Sequence, residues 1–248
     1  MLILKLGGAA ITDKSTANTA NTAAIDQIAA LIARYPQKLI LIHGAGSFGH
    51  IIAKEYNLHL GEQGDQQREG LIKLQLALHE LNTMVIKALW AQGIPAMTVH
   101  PASMCVQENG RLVDFFLEPI QYMLAMQLVP VMYGDCVWDR GQKFSIISGD
   151  QLAVYLANQL GADRIAFGTN VDGVLDATGQ VIPRLDARSQ ISSQQSGVAD
   201  VTGGMLGKVQ EIAAVKTAQT RIFNIQKIDQ LERILAGKDD VGTLIISG

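Results

Sequence analysis

Short, mainly apolar runs alternate along this chain with segments whose apolar residues return every three or four positions. Met1–Leu6, Leu39–Ile42, Ala96–Val99, Val129–Met132, Arg164–Gly168, Arg221–Asn224 and Thr243–Ile246 read as strands. Leu39–Ile42 is apolar at every position, as expected of a parallel strand covered on both faces. Thr22–Tyr35 carries Ile25, Ile28, Leu31 and Ile32 on one helical face and stops before Pro36. Arg68–Gln92 repeats Leu71, Leu74, Leu78, Leu81, Val85 and Leu89 at helical spacing and ends at Gly93. Ile51–Glu55, Asp150–Leu160, Met205–Ala218 and Ile228–Ala236 are further expected helices. Asp139-Arg140-Gly141 marks a tight hairpin, and polar Ser189–Gly197 reads as a mobile surface loop. The alternation predicts an α/β fold: a three-layer αβα sandwich around a mostly parallel sheet.

Composition narrows the classes. The 248 residues suffice for one large domain, 1–248, with no true linker and no internal repeat. A formal charge of −3 argues against a nucleic-acid partner, which usually needs a basic face. No apolar run is long enough to span a bilayer, so no membrane partner is expected. No cationic leader with a cleavage site is read, so cytoplasm is the expected location. Cys105 and Cys136 fit neither a metal spacing nor a disulfide framework and read as reduced structural thiols.

The candidate chemistry lies in three glycine-rich loops. His43-Gly44-Ala45-Gly46-Ser47-Phe48-Gly49-His50 runs from a strand into a helix. Lys5-Leu6-Gly7-Gly8-Ala9 opens the chain, and Asp200-Val201-Thr202-Gly203-Gly204-Met205-Leu206-Gly207-Lys208 lies far downstream. Glycines let backbone N–H groups approach an anion, and a helix start adds partial positive charge. Three such loops, two with a lysine, point to a polyanionic substrate set. No glycosidase-type carboxylate pair, Ser-His-Asp triad or zinc cluster is recognisable by spacing.

Taken in order, these loops with Ile11-Thr12-Asp13-Lys14, Tyr133-Gly134-Asp135, Ser148-Gly149-Asp150 and Thr169-Asn170-Val171-Asp172-Gly173-Val174 resemble the amino acid kinase superfamily. The pairing of Ser47-Phe48-Gly49-His50 with Ile11-Thr12-Asp13-Lys14 is narrower and resembles the isopentenyl phosphate kinases. The resemblance covers essentially the whole chain. It implies ATP-dependent phosphorylation of isopentenyl phosphate to the diphosphate, in isoprenoid biosynthesis. It also implies an acceptor lobe of about 1–145 and a nucleotide lobe of about 146–248, divided near Ile146. The expected partners are a small-molecule phosphate and a nucleotide. ATP is the phosphoryl donor, Mg²⁺ rides mainly on its phosphates and water, no protein metal site is expected, and the assembly is a homodimer.

Transfer between two anions is opposed by charge, so the protein must supply cations and aligned donors. Lys5, Lys14 and Lys208 are the candidates, and the resemblance implies that they contact the transferring or neighbouring phosphates. Lys14 sits in a polar segment, where a solvated surface lysine is the alternative. His50, read at a helix start, is implied to contact the acceptor phosphate. An acceptor with a second pKa of about 6 needs no general base, which makes His50 a binding residue. Asp150 reads from its position as a helix cap and from the resemblance as the group that holds two catalytic lysines. Gly149, with Ala45 and Gly49, would let the acceptor phosphate lie close to the backbone. Gly7, Gly8, Ala9, Gly46, Asn170, Asp172, Gly203 and Gly204 complete the implied ATP site, with a plain Asp-Gly turn the alternative at Asp172.

Leu71, Leu74 and Leu78 read either as a core helix face or as the recess for a five-carbon tail. His43 is expected to be a satisfied strand-end histidine, and His59, His79 and His100 to be surface or packing residues. Ala45 stands where glycine is usual and would cost free energy if its backbone needed positive φ. Asn170 stands where aspartate is more common, removing a charge near the nucleotide. A fosfomycin-type phosphonate kinase and a non-catalytic nucleotide sensor on the same fold remain as alternatives.

Overall fold

The computed structural model describes residues 1–13, 16–176, 178–187, 203–238 and 240–246. The first apolar run forms β1 (Leu2–Leu6), buried at every position. It runs parallel to β2 (Leu39–His43) on one side and β9 (Arg164–Thr169) on the other. Beyond β2 lie β6 (Val129–Tyr133) and the edge strand β3 (Ala96–Thr98), again parallel. Beyond β9 come β11 (Gln219–Asn224), β12 (Thr243–Ile246) and β10 (Arg184–Asp186). Among the described residues, only β11 and β12 pair antiparallel in this sheet. The mostly parallel sheet predicted from the sequence is therefore present; β10 is too short to have been read.

Two cores cover its faces. On one, Leu2, Leu4 and Leu6 pack against α2 (Thr22–Arg34), α4 (Asp65–Ala91) and α9 (Ile228–Leu235) through Ile28, Leu81 and Leu231. On the other, Ile3, Ile40 and Ile42 pack against α6 (Glu118–Ala125), α7 (Gly149–Leu160) and α8 (Gly203–Ile212) through Ile120, Leu152 and Val209. Neighbouring strand residues feed opposite cores, which is why these strands are apolar without alternation. No described helix is long and apolar enough to cross a membrane.

A second, four-stranded sheet is present, of which only the Asp139 hairpin was legible beforehand. It orders β5 (Arg111–Phe115), β4 (Cys105–Glu108), β7 (Asp135–Asp139) and β8 (Lys143–Ile147). The Asp139 turn does join β7 to β8, and its carboxylate gathers the N–H groups of Gly110, Gly141 and Gln142. Short α5 (Pro101–Met104) leads into β4. Cys105 and Cys136 are both buried free thiols, and burial pushes each up to about 12.

Several helix limits differ from the sequence reading, among them the start of α4, at Asp65 and not Arg68. α3 spans Gly46–Glu55, so the glycine-rich segment is its first turn and not a separate loop before Ile51. α8 stops at Ile212, short of Ala218, because Asn158 captures the chain there: its Nδ2 donates to Ala214 O and its Oδ1 accepts from Lys216 N. Ser189–Gly197, expected as a loop, lies outside the described residues.

Candidate active site

The ends of β1 and β2 bring the first two glycine loops backbone against backbone. A Cβ on Gly44 would lie 2.5 Å from Gly8 N, and one on Gly8 would lie 2.7 Å from Gly46 Cα. Only glycine permits that approach. Thr12, at the end of α1 (Gly8–Ile11), laces the loops together. Its hydroxyl donates to Gly8 O at 2.9 Å and accepts from Ser47 N at 3.1 Å. Gly46 has φ of +52°, and a Cβ there would strike the Thr12 side chain. Ala45 has φ of −69°, in the right-handed helical region. The positive-φ cost considered for that alanine therefore does not arise. Its methyl instead fills the space over Gly49, where a second Cβ would collide with it.

The cations converge on α7. Ser148 caps this helix, accepting from Gln151 N, and Asp150 lies in its first turn. Asp150 Oδ1 is 3.1 Å from Lys5 Nζ, and Oδ2 accepts a 2.6 Å hydrogen bond from Lys208 Nζ. Burial works to raise the Asp150 pKa, but the two ammonium groups outweigh it and hold the carboxyl below its ordinary range. Burial, with Lys5 alongside, pushes Lys208 down to about 8 against the pull of Asp150. The Lys208 ammonium also sits 5.4 Å from the Phe167 ring centroid. A Cβ on Gly149 would be 3.3 Å from Lys5 Cε, so this glycine leaves room for the lysine stem. One carboxylate thus holds apart, and in place, two cations from distant strands and helices.

Lys5 and Lys208 open onto a cavity of about 440 Å³ at the C-terminal ends of β1 and β9, with Asp150 behind them and outside its lining. Its lining unites Lys5, Gly7, Gly8, Ala9, Gly46, His50, Asn170 and Lys208, all expected from the sequence. It adds Ser47, Ile51, Gly168 and Thr169, of which the strand-end position of Gly168 and Thr169 was the available signal. His50 is the fifth residue of α3, one turn inside the helix rather than at its start, and is exposed at the cavity. Gly203 and Gly204 begin α8, which carries Lys208. Asp172 is not in the lining; its carboxylate is held by Lys227 at 2.8 Å and by Asn224 Nδ2 at 3.0 Å. Lys14 lies outside the described residues. No group of three His, Cys, Asp or Glu suited to a metal occurs among the described residues. A second cavity, about 510 Å³, lies at the opposite ends of β2 and β6. Lys38 is its one charged lining residue, so the chemistry-bearing side chains belong to the first.

Leu74 and Leu78 are buried with Tyr56, Tyr133 and Phe144, and Leu71 packs half-buried against them. A Cβ on Gly49 would be 3.4 Å from both Leu74 Cδ1 and Leu78 Cδ2. The ladder therefore lies directly beneath the second glycine loop. His43 is buried as expected, with Nε2 3.2 Å from Asn82 Oδ1 and Nδ1 3.1 Å from Gly44 O. His79 and His100 pack against one another, in keeping with the packing role expected of them. Their ring centroids are 4.6 Å apart, and His100 Nδ1 lies 2.8 Å from the Tyr133 hydroxyl.

A nucleotide-sized cavity at parallel strand ends, with two cations held by a carboxylate, is the architecture of a small-molecule kinase. The profile of the amino acid kinase family matches residues 1–224, and the chain belongs to that family. Its relatives narrow the placement. The isopentenyl phosphate kinase of Methanothermobacter thermautotrophicus is 37% identical, over 99% of this chain and 98% of its own. That of Methanocaldococcus jannaschii is 36% identical over 96% of each. An X-ray structure of an isopentenyl phosphate kinase superposes with a TM-score of 0.88 at 32% identity, covering 99% of this chain and 100% of that one. Within the family, the chain belongs with the isopentenyl phosphate kinases.

Proposed function

We propose that this chain transfers the γ-phosphoryl group of ATP to isopentenyl phosphate, giving isopentenyl diphosphate and ADP. The observation that carries this reading is the Lys5–Asp150–Lys208 cluster facing a cavity built from two interlocked glycine loops. The relatives named above supply the acceptor. A non-bridging oxygen of the acceptor phosphate attacks the γ-phosphorus as the bond to the β,γ-bridging oxygen breaks, and ADP carries away the electron pair. The attacking oxygen is already largely deprotonated at neutral pH, so no base is needed.

The roles are assigned from the family resemblance, with the cavity lining in support for Lys5, Lys208 and His50. Lys5 and Lys208 neutralise charge on the transferring group, and Asp150 keeps them oriented. His50 donates to the acceptor phosphate, with Lys14 assigned beside it. Ala45, Gly49 and Gly149 let the acceptor approach the backbone. Gly8, Ala9 and Gly46 offer N–H groups to the donor phosphates, while Gly7, whose own N–H donates to Gly168 O at 2.9 Å, lets the chain turn toward them. Asn170, Asp172, Gly203 and Gly204 are assigned to the nucleotide, with residues from about 146 onward as its lobe. Mg²⁺ is assigned to the nucleotide phosphates and water. The reaction is assigned to the cytoplasm.

A homodimer is part of the proposal. Ile72, Leu76 and Trp90 share one exposed face of α4, next to exposed Met97 on edge strand β3. An apolar stripe beside an unpaired edge suits a second copy of the same surface. Sedimentation at micromolar concentration tests it; a monomer that stays monomeric removes this part.

The catalytic reading is tested by ADP release with isopentenyl phosphate, dimethylallyl phosphate, fosfomycin, acetylglutamate, carbamate and UMP. Turnover highest with isopentenyl phosphate is expected. Preference for fosfomycin moves the chain to phosphonate kinase chemistry, and no ADP with any acceptor leaves a nucleotide-binding sensor.

A further inference from the structure

The β4–β5 hairpin contributes nothing to the cavity lining, yet it is bonded to both helices that carry the charged cluster. Its turn residues, Asn109 and Gly110, have φ of +50° and +76°. Their N–H groups donate to Asp139 at 3.2 and 2.7 Å, which fixes the hairpin to the β7–β8 turn. Behind the turn, the fully buried Gln107 donates through Nε2 to Gly110 O and to Gln151 Oε1, both at 2.9 Å. The same Gln151 oxygen accepts from Leu112 N at 2.8 Å. Gln151 follows Asp150 directly, and its own N–H makes the Ser148 cap bond. The hairpin is thus bonded, in a buried polar network, to the first turn of α7.

The same hairpin grips α8. The Arg111 guanidinium forms a two-pronged ion pair with Glu211, its second arm at 3.0 Å. Glu211 lies three residues after Lys208, and residues at that spacing share a helix face. The planar fork of arginine restrains the orientation of the helix as well as its distance. The pair joins residues 100 positions apart. Solvent reaches it, with Arg111 60% and Glu211 19% exposed, so its contribution to overall stability is small. Its effect falls on geometry.

We propose that the β4–β5 hairpin is a positioning clamp, in which Gln107 and Gln151 set α7 while Arg111 and Glu211 set α8, so that Asp150 and Lys208 meet in register. Arg111, Glu211, Gln107 and Gln151 are positioning residues for phosphoryl transfer, and none touches substrate. The inference rests on the kinase reading above, because it assigns the clamp to the group that meets the transferring phosphate.

The test is a charge-swap cycle: Arg111→Glu, Glu211→Arg and the double variant. Turnover, the KM of each substrate, ATP affinity by calorimetry and the melting temperature are measured on each. Each single variant is expected to lose about tenfold in kcat, within the range for coupled neighbours, with the acceptor KM and melting temperature nearly unchanged. The double variant is expected to recover most of the loss. Wild-type kcat in both singles, or a kcat loss that tracks melting temperature and is not restored by the swap, overturns the clamp. A wild-type protein that releases no ADP defeats the kinase reading separately. In that event ATP affinity decides: loss in the singles and recovery in the double supports the clamp, and unchanged affinity overturns it.

Discussion

Asp150 and Lys208 meet at 2.6 Å although 58 positions separate them in the chain. The carboxylate faces two buried ammonium groups, so its removal leaves like charges together in a poorly hydrated place. Asp150→Asn is expected to destabilise the fold by several kcal/mol, as breaking a buried pair commonly does. The sign with pH follows from the depressed folded pKa. Its stabilisation is fully present above the unfolded value of about 3.9 and is lost as pH falls through the folded value. Denaturant melts at pH 7 and pH 3 check this; an equal gap between wild type and variant at both would exclude the ion pair as its source.

Lys208→Ala and Lys5→Ala should each lower kcat by about 10²–10³ with smaller effects on folding, as expected for one lost transition-state contact. Near wild-type turnover from either folded variant removes that lysine from the mechanism.

Lys208 also gives the reaction a pH limb. Its pKa near 8 in the free protein means that the ammonium is lost as pH rises through that value. kcat/KM for ATP should then fall about tenfold per pH unit. Bound phosphates favour the charged form, so the limb in kcat should lie at higher pH. Lys208→Arg, which stays charged, should flatten the kcat/KM limb whatever its absolute rate. A limb unchanged in the arginine variant assigns the titration to another group.

His50→Ala should weaken the acceptor step while leaving ATP affinity nearly intact. His50→Gln can still donate to an anion and should retain more activity than alanine. Catalytic efficiency measured separately for acceptor and ATP, across pH, distinguishes this from a general-base role, in which both variants are equally inactive.

Leu74 and Leu78 lie beneath Gly49, the residue before His50 in α3, and Leu71 packs against them. Shortening one that faces the acceptor should admit a longer prenyl phosphate. Leu74→Ala and Leu78→Ala should also cost about 2–5 kcal/mol, as for other buried leucines, and half-buried Leu71→Ala less. Kinetics with geranyl phosphate, beside melts of each variant, separate the two effects. Lower stability without any change in chain-length preference leaves the ladder as core alone.

The sequence by itself determined the layers of this protein and most of the residues that line its cavity. Continuous apolar strands report burial on both faces, and helical periodicity reports burial on one, so β1 and most of α4 were legible from local pattern, read as Met1–Leu6 and Arg68–Gln92. Gly7, Gly8, Gly46, Lys5 and Lys208 were legible as cavity residues because they stand in short glycine-rich segments. Tertiary structure decided the rest. Cys105–Glu108 and Arg184–Asp186 are strands only because a partner lies beside them, and no periodicity fits into three or four residues. The start of α3 at Gly46 was hidden because Gly46 serves close backbone contact with Gly8, while local rules read the glycine run as a turn. His100 bonds Tyr133, and Arg111 bonds Glu211, across distances in sequence that no local pattern spans. The meeting of Lys5, Lys208 and Asp150 belongs to that second kind: each has its own segment, but charge pairing is a property of distance in space, which the packed sheet and helices alone supply.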